Sequence, residues 1–164
     1  MADFKASVNN STVEEFDESS GKSKYLVMSI DEQEYAIGIE YVVDIINIQP
    51  ITKIPNCPDF LAGITNLRGK VIPIIDMRLR FHKVAKEYNN RTCIIVLEES
   101  DSSVGLIIDN VSEFIDLDKS QIALPPSFNH GYETKFIQGV GKIDDKIKLI
   151  LDCAAILDYN SSIA

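Results

Sequence analysis

The chain has 164 residues, 45% of them hydrophobic, which is enough to bury the core of one ordinary domain or two very small ones. Its 25 acidic against 16 basic residues give a formal net charge of −9 and a pI near 4.7. Such a surface repels phosphate backbones and anionic headgroups, so neither nucleic acid nor a membrane surface is an expected partner.

Residues 1–23 are polar and acidic, with runs such as Asn9-Asn10-Ser11-Thr12 and Glu14-Glu15-Phe16-Asp17-Glu18. They cannot bury enough apolar surface to offset their ordering entropy, and the stretch reads as a flexible tail. It carries no apolar signal core, and no run in the chain is long enough to span a bilayer, so a cytoplasmic location is expected. From Lys24 the pattern is one of strands. Ile and Val recur, and branched side chains fit a pleated surface better than a helix.

Lys24 to Ile30 and Glu34 to Ile39 flank a polar turn and predict a hairpin, with Tyr41 to Ile48 as a further strand. Pro50, Pro55 and Pro58 break the next segment into short extended pieces. Ala62 to Leu67 and Val71 to Met77 predict a second hairpin about Arg68-Gly69, and Arg78 to Phe81 a short helix. Lys83 to Asn90 reads as a linker. Beyond it Arg91 to Leu97, Ser103 to Asp109 and Val111 to Leu117 read as strands, then Lys135 to Ile143 and Lys146 to Asp152 as a hairpin about Asp144-Asp145.

The second half repeats the first. Tyr25 to Ile30 lies over Thr92 to Leu97, and Ala36 to Ile46 over Gly105 to Ile115. Phe60-Leu61-Ala62-Gly63-Ile64 matches Phe136-Ile137-Gln138-Gly139-Val140, and the strand ending in Asp76 matches the strand ending in Asp152. About five short strands in each half suit a small barrel. One such barrel buries too little surface to be stable alone, so two that share a core are expected. The expected division is a folded unit over 24–158, with a first barrel in 24–82, a second in 91–158 and a terminal tail in 159–164. Whether strands cross between the barrels is left open.

Signs of chemistry are few. His82 and His130 are the only histidines and neither neighbours a cysteine. Cys57, Cys93 and Cys153 are odd in number and widely spaced, so reduced and mostly buried thiols are expected, with no metal and no cofactor. Gly139-Val140-Gly141 lacks the setting of a dinucleotide site. The acids that follow strands recur by repeat symmetry, which favours structure over catalysis, and Asp76 and Asp152 suit helix capping. The remaining feature is the hairpin tip Asn66-Leu67-Arg68-Gly69, whose counterpart is Lys142-Ile143-Asp144-Asp145. The scaffold is kept while the charge changes, and Arg is favoured at interfaces.

Val42-x-Asp44-Ile45-Ile46, Pro55-x-x-Pro58-x-Phe60-Leu61-x-Gly63-Ile64-x-Asn66-Leu67-Arg68-Gly69 and Val71-Ile72-Pro73-Ile74-Ile75-Asp76-Met77 together resemble the CheW-like family of bacterial chemotaxis. The resemblance runs from about Lys24 to Leu157. It implies two SH3-like five-stranded β-barrels with short helical segments. It also implies a non-enzymatic adaptor that couples the cytoplasmic tips of chemoreceptors (methyl-accepting chemotaxis proteins) to the regulatory domain of the histidine kinase CheA, in arrays beneath the membrane. By position, it places Val42, Asp44, Ile45, Gly63, Asn66 and Arg68 in a receptor-binding groove. Asp44 takes the place of a family glutamate able to pair with the arginine. Gly105 and Val111 match second-barrel partner contacts. The alternatives are a similar scaffold in another chemosensory pathway, or a small-ligand binder or enzyme using the groove between barrels.

Overall fold

The computed structural model describes residues 21–125 and 133–158. Most of the expected N-terminal tail, the loop around His130 and the expected C-terminal tail lie outside them. In chain order the elements are β1 (Lys22–Ile30), β2 (Gln33–Gly38), a 3-10 turn (Ile39–Tyr41), β3 (Val42–Asn47), β4 (Leu61–Leu67), β5 (Lys70–Asp76) and α1 (Met77–Arg80). There follow β6 (Cys93–Glu99), β7 (Ser102–Ile108), β8 (Asn110–Asp118), β9 (Ile122–Ala123), β10 (Ile137–Ile143), β11 (Lys146–Leu151) and α2 (Cys153–Leu157). The fold is mainly β, as expected, in two packed sheets. β9, only two residues long, makes one of them six-stranded.

The six-stranded sheet runs β8-β1-β2-β11-β10-β9 and the five-stranded sheet β3-β6-β7-β5-β4. Strands therefore cross in both directions. Hairpin β1–β2 from the first half sits between β8 and β11, and hairpin β6–β7 from the second half sits between β3 and β5. The two parallel contacts this creates, Ala36 opposite Ile150 and Gly105 opposite Ile74, fall at repeat-equivalent positions.

Chain length explains the crossing. Asp109 alone separates β7 from β8. Keeping β8 beside β6 in one sheet would require the chain to step over β6, a distance of about 9.5 Å, or two strand spacings. Two Cα steps reach about 7 Å at most. The chain runs on into the other sheet instead.

Alternate faces of the strands fill three cores. Ile46, Ile72, Ile74, Ile94, Val96 and Ile107 pack inside the five-stranded sheet. Val27, Ala36, Leu117 and Ile150 pack inside the six-stranded one. A larger cluster lies between the sheets, and includes Leu26, Met28 and Ile30 of β1 and Cys93, Ile95 and Leu97 of β6. Because β1 and β6 are covered on both faces, their sequences are continuous apolar runs, not alternating ones.

Each helix is capped by an acid, as its sequence predicts. Asp76 Oδ1 accepts from Arg78 N (3.0 Å) and Asp152 Oδ1 from Ala155 N (3.2 Å). The backbone N–H groups of the same two acids donate to Phe60 O (2.8 Å) and Phe136 O (2.7 Å). Between those repeat-related rings lies the guanidinium of Arg80, 4.4 and 4.5 Å from their centroids and only 5% exposed. Its counterpart in the second half is Ile156, in the central core.

A second buried cation fixes the contact between β2 and β11. Lys148, 5% exposed, bonds Glu34 Oε1 at 2.5 Å. Its repeat counterpart in the other sheet is Ile72. Truncating one member strands the other, whereas an apolar isostere removes the need for a partner. Glu34→Ala is therefore expected to cost about 2 kcal/mol, a value reduced for the partial exposure of Glu34. Glu34→Ala combined with Lys148→Met is expected to recover most of that loss, as read from urea midpoints.

Candidate functional site

The first hairpin tip is built to hold an arginine outward. Arg68 and Gly69 form a two-residue turn between Leu67 and Lys70, with φ of 54° and 85°. Positive φ at both positions is the primed turn that matches strand twist, and Gly69 accepts it without strain. Asn66 Oδ1 accepts from Gly69 N at 3.0 Å and locks the turn. Arg68 leaves the tip 61% exposed and sets Nη2 3.1 Å from Asp44 Oδ2. The Asp44 side chain is only 2% exposed, and its Oδ1 accepts from Ile45 N at 2.9 Å. The predicted acid–arginine pair thus forms with the shorter aspartate.

A bulge aims β3. Val42 pairs with Leu97 and Asp44 with Val96, so Val43 is squeezed out of register. Val42 and Ile45, three apart, therefore both face the central core, at 8% and 2% exposure. Val43 projects outward, 41% exposed, beside Asp44. Sequence reading missed it. The available signal was its repeat counterpart, Ser112, an apolar residue in one half set against a polar one in the other.

The remaining positions act through packing. Gly63, at φ 148°, lies against Thr52, and an added Cβ would overlap the Thr52 carbonyl oxygen. On either side of that contact Thr52 and Ile64 exchange two 2.9 Å backbone bonds. At Gly105 a Cβ would meet Ile74 Cδ1 at 2.6 Å and Ile94 Cγ2 at 2.8 Å. Val111, 8% exposed, belongs to the central core. Of the eight residues named from sequence, Asn66 and Arg68 are exposed and the other six are buried.

Burial pushes the thiols of Cys93 and Cys153 up to about 12, so both are protonated and inert near neutral pH. Cys57 is half-buried. Among the described residues no group of three His, Cys, Asp or Glu side chains is placed to hold a metal ion. An open hollow of about 370 Å³ lies between the 53–62 segment, α1 and the linker. Its Asp76 is already engaged, capping α1 and accepting from Tyr88 Oη at 3.0 Å. No described helix is long and apolar enough to cross a membrane.

Comparison with known proteins agrees with this fold. A chemotaxis protein CheW from Klebsiella aerogenes is 34% identical over 134 residues, covering 82% of this chain and 81% of its own. One from Bacillus subtilis is 32% identical over 139 residues, covering 85% and 89%. The crystal structure of the scaffolding protein TtCheW from Thermoanaerobacter tengcongensis superposes with a TM-score of 0.74 at 38% identity, over 79% of this chain and 88% of that one. The family model for the CheW-like domain matches residues 24–161, and on this evidence the chain belongs to the CheW-like domain family of chemotaxis proteins.

Proposed function

We propose that this chain is a non-enzymatic adaptor that couples the cytoplasmic tips of chemoreceptors to the regulatory domain of the histidine kinase CheA, and that it works in the cytoplasm within membrane-associated arrays. The observation that carries this reading is the half-engaged arginine. Arg68 pairs with Asp44 through Nη2 at 3.1 Å while its side chain stays 61% exposed. A planar fork fixed in this way loses little further rotamer freedom on binding and suits an acceptor on a polypeptide.

A receptor tip is a helical hairpin, and a helix seated against Val43 and the Arg68 tip uses one apolar anchor and one forked donor. Val42, Ile45 and Gly63 hold those two at fixed spacing. Gly105 and Val111 act on a second partner through the shape of the sheet, since both side-chain positions are buried. Such an adaptor has no output of its own. It passes on receptor state only through contacts whose free energy differs between signalling states.

An NMR titration of the chain with a soluble receptor-tip hairpin tests this reading. The largest amide shifts are expected at Val43, Asp44 and Asn66 to Lys70. Shifts confined to surfaces remote from the Arg68 tip, or none, would remove the assignment.

A further inference from the structure

The chain crosses between the sheets twice, and the two crossovers are held differently. At the second, Asp109 joins β7 to β8 and its N–H donates to Ser29 O at 3.0 Å. The Asp109 carboxylate accepts from Asp31 N at 2.8 Å, from Arg78 Nε at 2.9 and 3.1 Å and from Arg78 Nη2 at 2.8 Å. Arg78, 13% exposed, also lies 3.3 Å from Asp31, and its hydrogen bond to Asp109 raises its pKa against the opposing effect of burial, with the charges of Asp109, Asp31 and Asp76 adding to the rise. Two carboxylates thus pair with Arg78, one from the β1–β2 tip and one from the crossover, and Lys83 Nζ lies 3.8 Å from the first.

The first crossover, Ile39–Tyr41, is the repeat equivalent. Glu40 takes the place of Asp109 and Asp152 that of Asp76. Burial, and then the charge of Glu40, hold up the proton of the adjacent Tyr41. The position matching Arg78, however, is Ala154, exposed on α2. No ion pair among the described residues involves Glu40. Its carboxylate folds back over Gly38, where an added Cβ would meet Oε1 at 2.6 Å. The crossover acid is kept in both halves, and its guanidinium partner in one.

We propose that the Ile39–Tyr41 crossover is the adjustable joint between the two sheets and the Asp109 crossover the fixed one. A forked guanidinium shared by two carboxylates ties its crossover down, whereas a crossover acid with no ion pair supplies no such tie. Val42, Val43 and Asp44 follow the adjustable corner directly. If the proposed function holds, give at this joint therefore moves the receptor-side residues and leaves the rest of the framework in place.

Amide hydrogen exchange of the whole chain, read by NMR, tests the joint without any partner, so the outcome does not depend on what binds Arg68. Two bonded amides report the two corners: Val42 N–H, which donates to Ile39 O, and Asp109 N–H, which donates to Ser29 O. Protection at Val42 is expected to be at least roughly tenfold lower than at Asp109, since local opening governs such differences. Ala154→Arg supplies the missing cation and should raise Val42 protection by roughly fivefold or more. Ala154→Leu, which adds bulk without charge, should leave it unchanged. Equal or greater protection at Val42 in the unaltered chain, or a leucine effect matching that of arginine, overturns the proposal.

Discussion

Arg68→Asp is expected to weaken binding of receptor tips by roughly 30-fold or more, the equivalent of about 2 kcal/mol for losing a central interface arginine. The substitution removes the forked donor and sets a second carboxylate beside Asp44, which repels any acidic acceptor that Arg68 had met. The fold should survive. Arg68 is mostly exposed, the turn is held by Asn66 and Gly69, and Asp44 keeps its bond from Ile45 N. A stability loss of about 2 kcal/mol is the expected scale, because the buried Asp44 carboxylate loses its cation while the partner removed is itself exposed. Arg68→Lys separates charge from shape: a point charge without the fork should recover only part of the affinity. Calorimetric titration alongside thermal unfolding reads both quantities. An affinity unchanged by Arg68→Asp would remove Arg68 from the interface.

Gly63→Ala is expected to act the opposite way, through the fold. The φ of 148° is closed to L side chains, and the added methyl would drive the Thr52 strand off β4. Backbone strain of about 1–3 kcal/mol and two weakened hydrogen bonds at about 1 kcal/mol each sum to roughly 4 kcal/mol. For a domain of this size that is a fall in Tm of roughly 10 °C. Binding of receptor tips should fall with it, because β4 carries the Arg68 tip. The pair of variants therefore separates contact from support: Arg68→Asp loses affinity with the smaller fall in Tm, and Gly63→Ala loses affinity with the larger. A Gly63→Ala protein with unaltered Tm would show that the Thr52 contact yields at no cost.

The duplication was legible because both halves keep the same order of apolar runs, the same glycine ahead of the hairpin and the same capping acid. Which strands pair was not legible from periodicity, since a strand covered on both faces carries no mark of its neighbour. The one-residue gap at Asp109 does contain the answer, once strand spacing is set against chain reach. The Arg68 tip stood out because its repeat counterpart changes charge. The burial of Val42 and Ile45 was hidden, because a single bulged residue, Val43, turns the strand and leaves no compositional trace beyond its contrast with Ser112. Arg80 was hidden for a different reason. A charged residue in a short helix reads as solvated, and only the placement of Phe60 and Phe136 on either side gives its cation somewhere else to go.

The central claim is that this chain bridges two proteins and is needed for their association. It is tested most directly by sedimenting membranes that carry a chemoreceptor with soluble CheA, in the presence and absence of the purified chain. Kinase should enter the pellet only when the chain is added, and should remain in the supernatant with the Arg68→Asp protein. Kinase that pellets equally without the chain, or a chain that joins receptor and kinase regardless of Arg68, would contradict the account.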